Sequence, residues 1–265
     1  MMEKMIFGRY IPAESPIHRM DPRSKLLLVF SFVCIVFIAN NLFTYGLLGI
    51  YTFYLLSLSK IPIRFLLEGL KPILFLVVFT LLLHLFLTKE GDVVVDLGFI
   101  KIYEEGIRQG IFISMRFFFL ILVTSLLTLT TTPIEITDGL EILLNPLKKI
   151  RFPVHEMALM MSISLRFIPT LMQETDKIMK AQTARGVDFA SGPIKDRVKA
   201  IIPLLIPLFV SSFKRAEDLA TAMEARGYRG GEGRTRFRQL RWKAADTLQL
   251  SILLLMAVVL VLLRS

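Results

Sequence analysis

Residues 247–263 read TLQLSILLLMAVVLVLL and hold no charged side chain. A helix needs about 20 predominantly apolar residues to cross a hydrocarbon core of ~30 Å, so this run decides the class of the molecule. Directly before it stand Arg234, Arg236, Arg238, Arg241 and Lys243, a cation cluster of the kind found on the cytoplasmic side of a span. Four more apolar runs, at 26–39, 42–59, 72–88 and 109–132, repeat the pattern. Of 265 residues, 54% are hydrophobic and 21 are Phe, too apolar for a water-soluble domain. The expectation is an all-α, polytopic membrane helix bundle with about five transmembrane helices.

The first run is short, so Lys25 is expected to snorkel at its start and the helix to extend into Leu42 and Phe43. Lys60, Arg64 and Lys71 lie between the second and third runs and place that loop in the cytoplasm. The loop 89–105 carries Glu90, Asp92, Asp96, Glu104 and Glu105 against two lysines, and faces outside. The N-terminus is then cytoplasmic and the C-terminus outside. Val93–Val95 and Phe99–Ile102, around Gly98, suggest a small hairpin in the outer loop. Pro12, Pro16 and Pro22 precede the first run and no small-residue cleavage site follows it, so a cleaved secretory signal is not expected. The single cysteine, Cys34, allows no internal disulfide.

The organisation expected is a membrane domain over 1–132, a cytoplasmic insert over 133–242 and a last transmembrane helix over 243–265. Residues 133–243 hold 19 of the 32 Lys and Arg, beside 12 acids. Thr132-Pro133 opens the insert as a helix start, with Thr at the cap and Pro at the first helical position. A short amphipathic helix reaches about Asn145, and two long runs follow, near 153–185 and 194–226. In the first, Val154, Met157, Met161, Leu165, Ile168, Met172, Thr175 and Met179 share one helical face. In the second, Ile201, Leu205, Leu208, Ser212, Ala216, Leu219 and Met223 form a similar stripe. Pro169, Pro203 and Pro207 lie inside these helices and predict kinks. Two readings of the Met-rich face stand: an ordinary packed core, or an adaptable docking surface, since Met repacks readily.

No catalytic or metal constellation is present. His18, His84 and His155 have no metal-ligand spacing, so neither metal nor cofactor is expected. His84, within a span, reads best as a satisfied polar group. Arg116 either pairs with an acid such as Glu68 or snorkels. Gly227–Thr235 lacks the glycine spacing and the lysine of a phosphate loop and follows a helix, so the chain is expected not to hydrolyse ATP. The basic stretch 226–243 has only Phe237 and Trp242 as stacking aromatics, which favours a membrane anchor over nucleic-acid binding. A membrane-anchored protein that binds nucleic acid or anionic lipid there is the reading from another class. The scarcity of polar residues in the spans argues against a self-contained channel.

Both long helices end alike: Ala184-Arg185-Gly186 and Ala225-Arg226-Gly227, each with a further Ala three residues before the first. Gly just past a helix closes it, and Arg complements its dipole. The repetition adds something: a narrow tip with one projecting guanidinium can enter a groove and fork onto a carboxylate. Two such tips suggest a partner with two similar grooves.

The chain resembles the transmembrane T component of energy-coupling factor (ECF) transporters, prokaryotic importers of vitamins and metals. The resemblance rests on Asp21-Pro22-Arg23-Ser24-Lys25, on TTTPIEITDGLEILLNPL at 130–147, on LRFIPTLMQETDKIMKAQTARG at 165–186 and on PLLIPLFVSSFKRAEDLATAMEARGYRG at 203–230. It implies a multi-pass protein of the prokaryotic cell membrane with long cytoplasmic coupling helices. Arg185 and Arg226 would insert into the grooves of two ABC-type ATPase subunits. A substrate-binding S component would sit on the coupling-helix surface, at Met157, Met161, Leu165, Ile168, Met172, Leu205 and Leu208. The T component itself would be non-catalytic, with the substrate chosen by another chain. A T component dedicated to one cobalt/nickel or vitamin module is the alternative within the family.

Overall fold

The computed structural model describes residues 10–96, 101–189, 191, 193–230 and 239–263. Among them are eight α-helices: α1 Pro22–Val36, α2 Leu42–Ser59, α3 Ile63–Leu87, α4 Glu104–Thr130, α5 Pro133–Leu143, α6 Val154–Ala184, α7 Ile194–Ala225 and α8 Ala244–Leu263. Two strands among the described residues, β1 Val93–Asp96 and β2 Lys101–Tyr103, pair antiparallel as the hairpin expected within the 89–105 loop. Its turn, with Gly98, lies outside the described residues. The chain divides into two compact units, Met1–Leu143 with Arg238–Ser265, and Leu144–Phe237.

The first unit is the membrane bundle. Three of its helices, α2, α4 and α8, are each long and apolar enough to cross a bilayer, while α1 has 15 residues and the apolar part of α3 is Leu74–Leu87. The five-helix expectation thus includes two members that are short by themselves and that pack against longer neighbours. Phe32 and Val36 of α1, Tyr45, Leu48 and Leu55 of α2, Val123 of α4 and Leu253 and Leu260 of α8 form the buried core.

The first helix stops at Val36 and does not run on into Leu42 and Phe43. Asn41 instead caps α2, its N–H donating to Thr44 Oγ1 at 3.0 Å. The third helix starts earlier than the apolar pattern indicated, so positions 64 and 71 lie within it rather than in a loop. Its contact with α4 depends on small residues at a spacing of four. A Cβ on Gly106 would meet His84 O at 3.0 Å, one on Gly110 would meet Leu81 O at 3.4 Å, and Ser114 Oγ donates to Val77 O at 3.3 Å. Membrane helices approach closely where such residues line the seam.

Arg116 donates to Ala39 O at 3.2 Å and lies 5.3 Å from the Phe37 ring centroid, so a backbone carbonyl is its partner. His84 Nδ1 bonds Thr80 O at 2.9 Å, a satisfied polar group within its own helix.

Lys25 does not snorkel. It is buried and its Nζ donates to Thr130 O at 2.9 Å and Thr131 Oγ1 at 3.2 Å, tying the start of α1 to the end of α4. Beside it Asp246, fully buried, accepts from Asp21 N at 3.0 Å, Ser24 Oγ at 2.7 Å and Lys243 N at 2.7 Å. One carboxylate therefore caps α8 and holds the start of α1. The helix α5 joins this end: Thr132 and Glu135 form its capping box, and Gly139 lets it sit against Leu26 and Pro22.

Candidate functional site

The second unit is built on α6 and α7, of 31 and 32 residues. Each is about 47 Å long at 1.5 Å per residue. They run past one another in opposite directions. Glu174 pairs with Arg215 at 3.1 Å, and Gln182 Nε2 donates to Pro203 O at 3.3 Å. The second bond has a clear origin: Pro207 has no N–H for the carbonyl four residues earlier, and the Gln182 amide takes up that acceptor. Gln182 belongs to the same segment as the Arg185 tip, so a proline in one helix helps fix the end of the other.

The two tips are closed by the same backbone device. Gly186 N donates to Thr183 O at 2.9 Å and Val187 N to Gln182 O at 3.0 Å. In α7, Gly227 N donates to Glu224 O at 2.9 Å and Tyr228 N to Met223 O at 3.0 Å. These are paired Schellman closures. The glycines have φ of +89° and +72°, and a Cβ on either would meet nothing within 4 Å. Glycine is needed there for its left-handed backbone and not for space. The residue before it, Arg185 or Arg226, keeps φ of −88° in both helices.

Ala184, Arg185, Gly186, Ala225, Arg226 and Gly227 are all exposed. Among the described residues neither guanidinium takes a hydrogen bond or ion pair, although five donors are available on each. Because Met223 and Ile163 line one groove, the α7 tip stands level with the first third of α6. The tips are then roughly 35 Å apart along the pair, by the helical rise.

The apolar positions divide into two sets. Ile163, Phe167, Ile168, Leu171, Ala216, Leu219 and Met223 line a groove of about 480 Å³ between α6 and α7. Thus Ser212, Ala216, Leu219 and Met223 of the stripe read from sequence face α6. Met157, Met161 and Leu205 are exposed, while Leu165, Ile168, Met172 and Leu208 are half-buried. The more open line on α7 is one the stripe missed: Ile202, Ile206, Phe209 and Phe213 are 52–72% exposed. Their spacing of four, three and four residues was the available signal. The arginines at 234, 236 and 238 lie outside the described residues.

A membrane bundle of this kind, joined to two long amphipathic helices with matched arginine tips, defines a multi-pass membrane subunit. The comparisons with known proteins agree. Residues 13–237 match the family model CbiQ, described as cobalt transport protein. The chain is 64% identical over 265 residues to the energy-coupling factor transporter transmembrane protein EcfT of Bacillus subtilis, covering the whole of both chains. It is 60% identical to the protein of that name from Listeria innocua, over 265 residues and the whole of both chains. With that of Streptococcus thermophilus it shares 50% over 264 residues, again across both full lengths. The chain belongs to the CbiQ/EcfT family, the transmembrane T components of ECF transporters.

Proposed function

We propose that this T component converts ATP-driven closure of two ABC-type ATPase subunits into movement of a substrate-binding S component. The observation that carries the reading is the pair of identically closed, exposed tips, each presenting an arginine whose side chain has no partner among the described residues. Arg185 and Arg226 enter one groove on each ATPase subunit and fork onto a carboxylate there, with Ala184 and Ala225 keeping the tips narrow and Gly186 and Gly227 ending them. With the tips held at opposite ends of the α6–α7 pair, relative motion of the ATPase subunits turns one helix against the other.

The S component rests on the apolar faces above the tips. Met157, Met161 and Leu205 are its exposed anchors, with Leu165, Ile168, Met172 and Leu208 behind them. The exposure of Met157, Met160 and Met161 supports an adaptable surface, which suits more than one partner. The insert, with the tips, lies in the cytoplasm of a prokaryotic cell, the N-terminus on the same side and the C-terminus outside. Hydrolysis takes place on the partner subunits, and the S component selects the vitamin or other micronutrient.

The test is co-purification of the ATPase subunits with the Arg185→Glu/Arg226→Glu variant in mild detergent. Breaking a buried interfacial charge pair costs about 2 kcal/mol or more, so each substitution should weaken association at least roughly 30-fold. Full retention of the ATPase pair would overturn the proposal.

A further inference from the structure

The membrane unit carries a second groove, of about 430 Å³, between α2 and α8. Leu47, Ile50, Ile252, Leu255, Met256 and Val259 line it, with Tyr51 and Tyr54 toward one end. Both walls are helices long and apolar enough to cross a bilayer, so the groove opens onto hydrocarbon. Its lining differs from a helix-docking seam in the same molecule. Where α4 packs on α3 the contact runs through Gly106, Gly110 and Ser114, as close helix approach requires. The α2–α8 groove is walled by branched and long side chains and has no such stripe, which suits a flexible chain.

Beside the Tyr end, two buried polar atoms are left unused by the described residues. Tyr51 is 5% exposed and Gln249 8% exposed. Gln249 Nε2 bonds Tyr54 Oη at 3.0 Å, while Gln249 Oε1 and Tyr51 Oη are buried with no hydrogen-bond partner. An amide turned over would accept from Tyr54 and offer its N–H instead, so this end can present two donors to one acceptor. Gln249 lies five residues inside the start of α8, about 7.5 Å along the helix, near the boundary between headgroups and hydrocarbon.

At the same end of both helices stand exposed cations. Lys60 follows α2 in a left-handed conformation (φ 53°), and Arg241 precedes α8. Neither has an ion pair or hydrogen bond among the described residues. Trp242, 42% exposed, donates to Thr247 Oγ1 at 2.8 Å, an arrangement typical of the interfacial aromatic belt.

We infer that this groove binds an anionic glycerophospholipid. Its phosphate lies between Lys60 and Arg241, an ester carbonyl accepts from Tyr51 and the Gln249 amide, and one acyl chain fills the groove along Leu47, Ile50, Ile252 and Leu255. The inference needs only that the chain spans a membrane, so it stands or falls independently of the ATPase reading.

The experiment uses the full chain in phosphatidylcholine nanodiscs doped with phosphatidylglycerol that bears a photoreactive acyl chain, with adducts mapped by mass spectrometry. Adducts should concentrate on the groove residues of α2 and α8. Lys60→Gln and Arg241→Gln should each lower that labelling about fivefold, the effect of one cation at an anionic surface. Ile252→Trp, which fills the groove, should abolish it. If the tryptophan variant does not fold, the two cation variants decide, because both residues are exposed. Equal labelling by a phosphatidylcholine probe would overturn the inference, as annular lipid only. So would adducts spread over every lipid-facing helix, or a partner helix found in the groove of the intact transporter.

Discussion

Arg23 and Arg226 stand at opposite kinds of helix end, and the protein treats them in opposite ways. Arg23, at the start of α1, donates to Asp21 from Nε at 3.0 Å and from a terminal nitrogen at 2.8 Å, and lies 5.7 Å from the Trp242 ring centroid. Around it Asp21, Ser24, Lys25 and Asp246 bond one another, helix ends or backbone carbonyls. Arg226 and its twin Arg185 project from capped helices, and their guanidinium groups make no hydrogen bond or ion pair among the described residues. The first cluster is polar structure, complete within the chain; the second is polar surface held ready. Buried polar groups must be satisfied where they stand, whereas an exposed arginine loses little by waiting in water.

That contrast breaks most easily at Asp246. Asp246→Ala strips the acceptor from Asp21 N, Ser24 Oγ and Lys243 N at once. An uncompensated buried polar group costs about 1–3 kcal/mol, so a loss of roughly 3–5 kcal/mol is expected, read as a large drop in melting temperature in detergent. Arg185→Ala/Arg226→Ala should leave that temperature nearly unchanged, within about 0.5 kcal/mol for exposed sites. Equal melting of the two variants would erase the distinction.

The seam between α3 and α4 gives the next effect in size. Gly110→Leu places a branched side chain where a Cβ alone already reaches Leu81 O and His84 Cβ at 3.4 Å. Overpacking of this kind costs typically about 1–3 kcal/mol. The melting temperature should fall, while binding at the α6 and α7 tips persists in the fraction that remains folded. An unchanged melting temperature would show that the seam yields freely.

At the tips, the glycines separate backbone need from partner need. Gly186→Ala and Gly227→Ala each force a Cβ into a left-handed conformation, at about 1 kcal/mol, with open space around it. Global stability should change little, because the strain is relieved by fraying the last turn. Retention of the ATPase pair should fall more than stability does. If Gly→Ala at both tips leaves co-purification untouched, the tip shape does not matter to the partner.

These elements were unequally legible in the sequence. Helix α2 was bounded to the residue, and α6 and α7 within one residue at each end, because long periodic runs stop at Gly or start at Pro. The tips were visible for the same reason: a repeated Ala-x-x-Ala-Arg-Gly needs no tertiary information. The buried cluster was not. Asp246 looks like an ordinary acid in a helix's first turn, and its bonds to Asp21 and Ser24 join residues more than 220 positions apart. Lys25 was misread as a snorkelling cation because its acceptors, Thr130 O and Thr131, come from the far end of another helix. The small-residue stripe of α4, by contrast, was present as Gly106-x-x-x-Gly110-x-x-x-Ser114 and would have located the α3–α4 seam.

The smallest effect concerns pH and the polar cluster at the start of α1. Burial lowers the pKa of His18 below its ordinary 6.5; the Ile11 carbonyl opposes this and nearby Lys25 reinforces it. Burial alone would raise Asp21, but hydrogen bonds from Arg23 outweigh it and hold the carboxyl below 3.8. Both folded pKa values are depressed, so the unfolded chain binds protons more readily in each case. The contribution of His18 is complete above pH 6.5 and fades as pH falls through its lower folded value. That of Asp21 persists until pH falls below 3.8. Melting temperature should therefore decline slightly between about pH 7 and 5, where histidine titrates, and His18→Gln should flatten that part of the profile. A melting temperature that rises on acidification over this range would show that His18 is held in its charged form, and that the cluster at the start of α1 is arranged differently from the bonds described above.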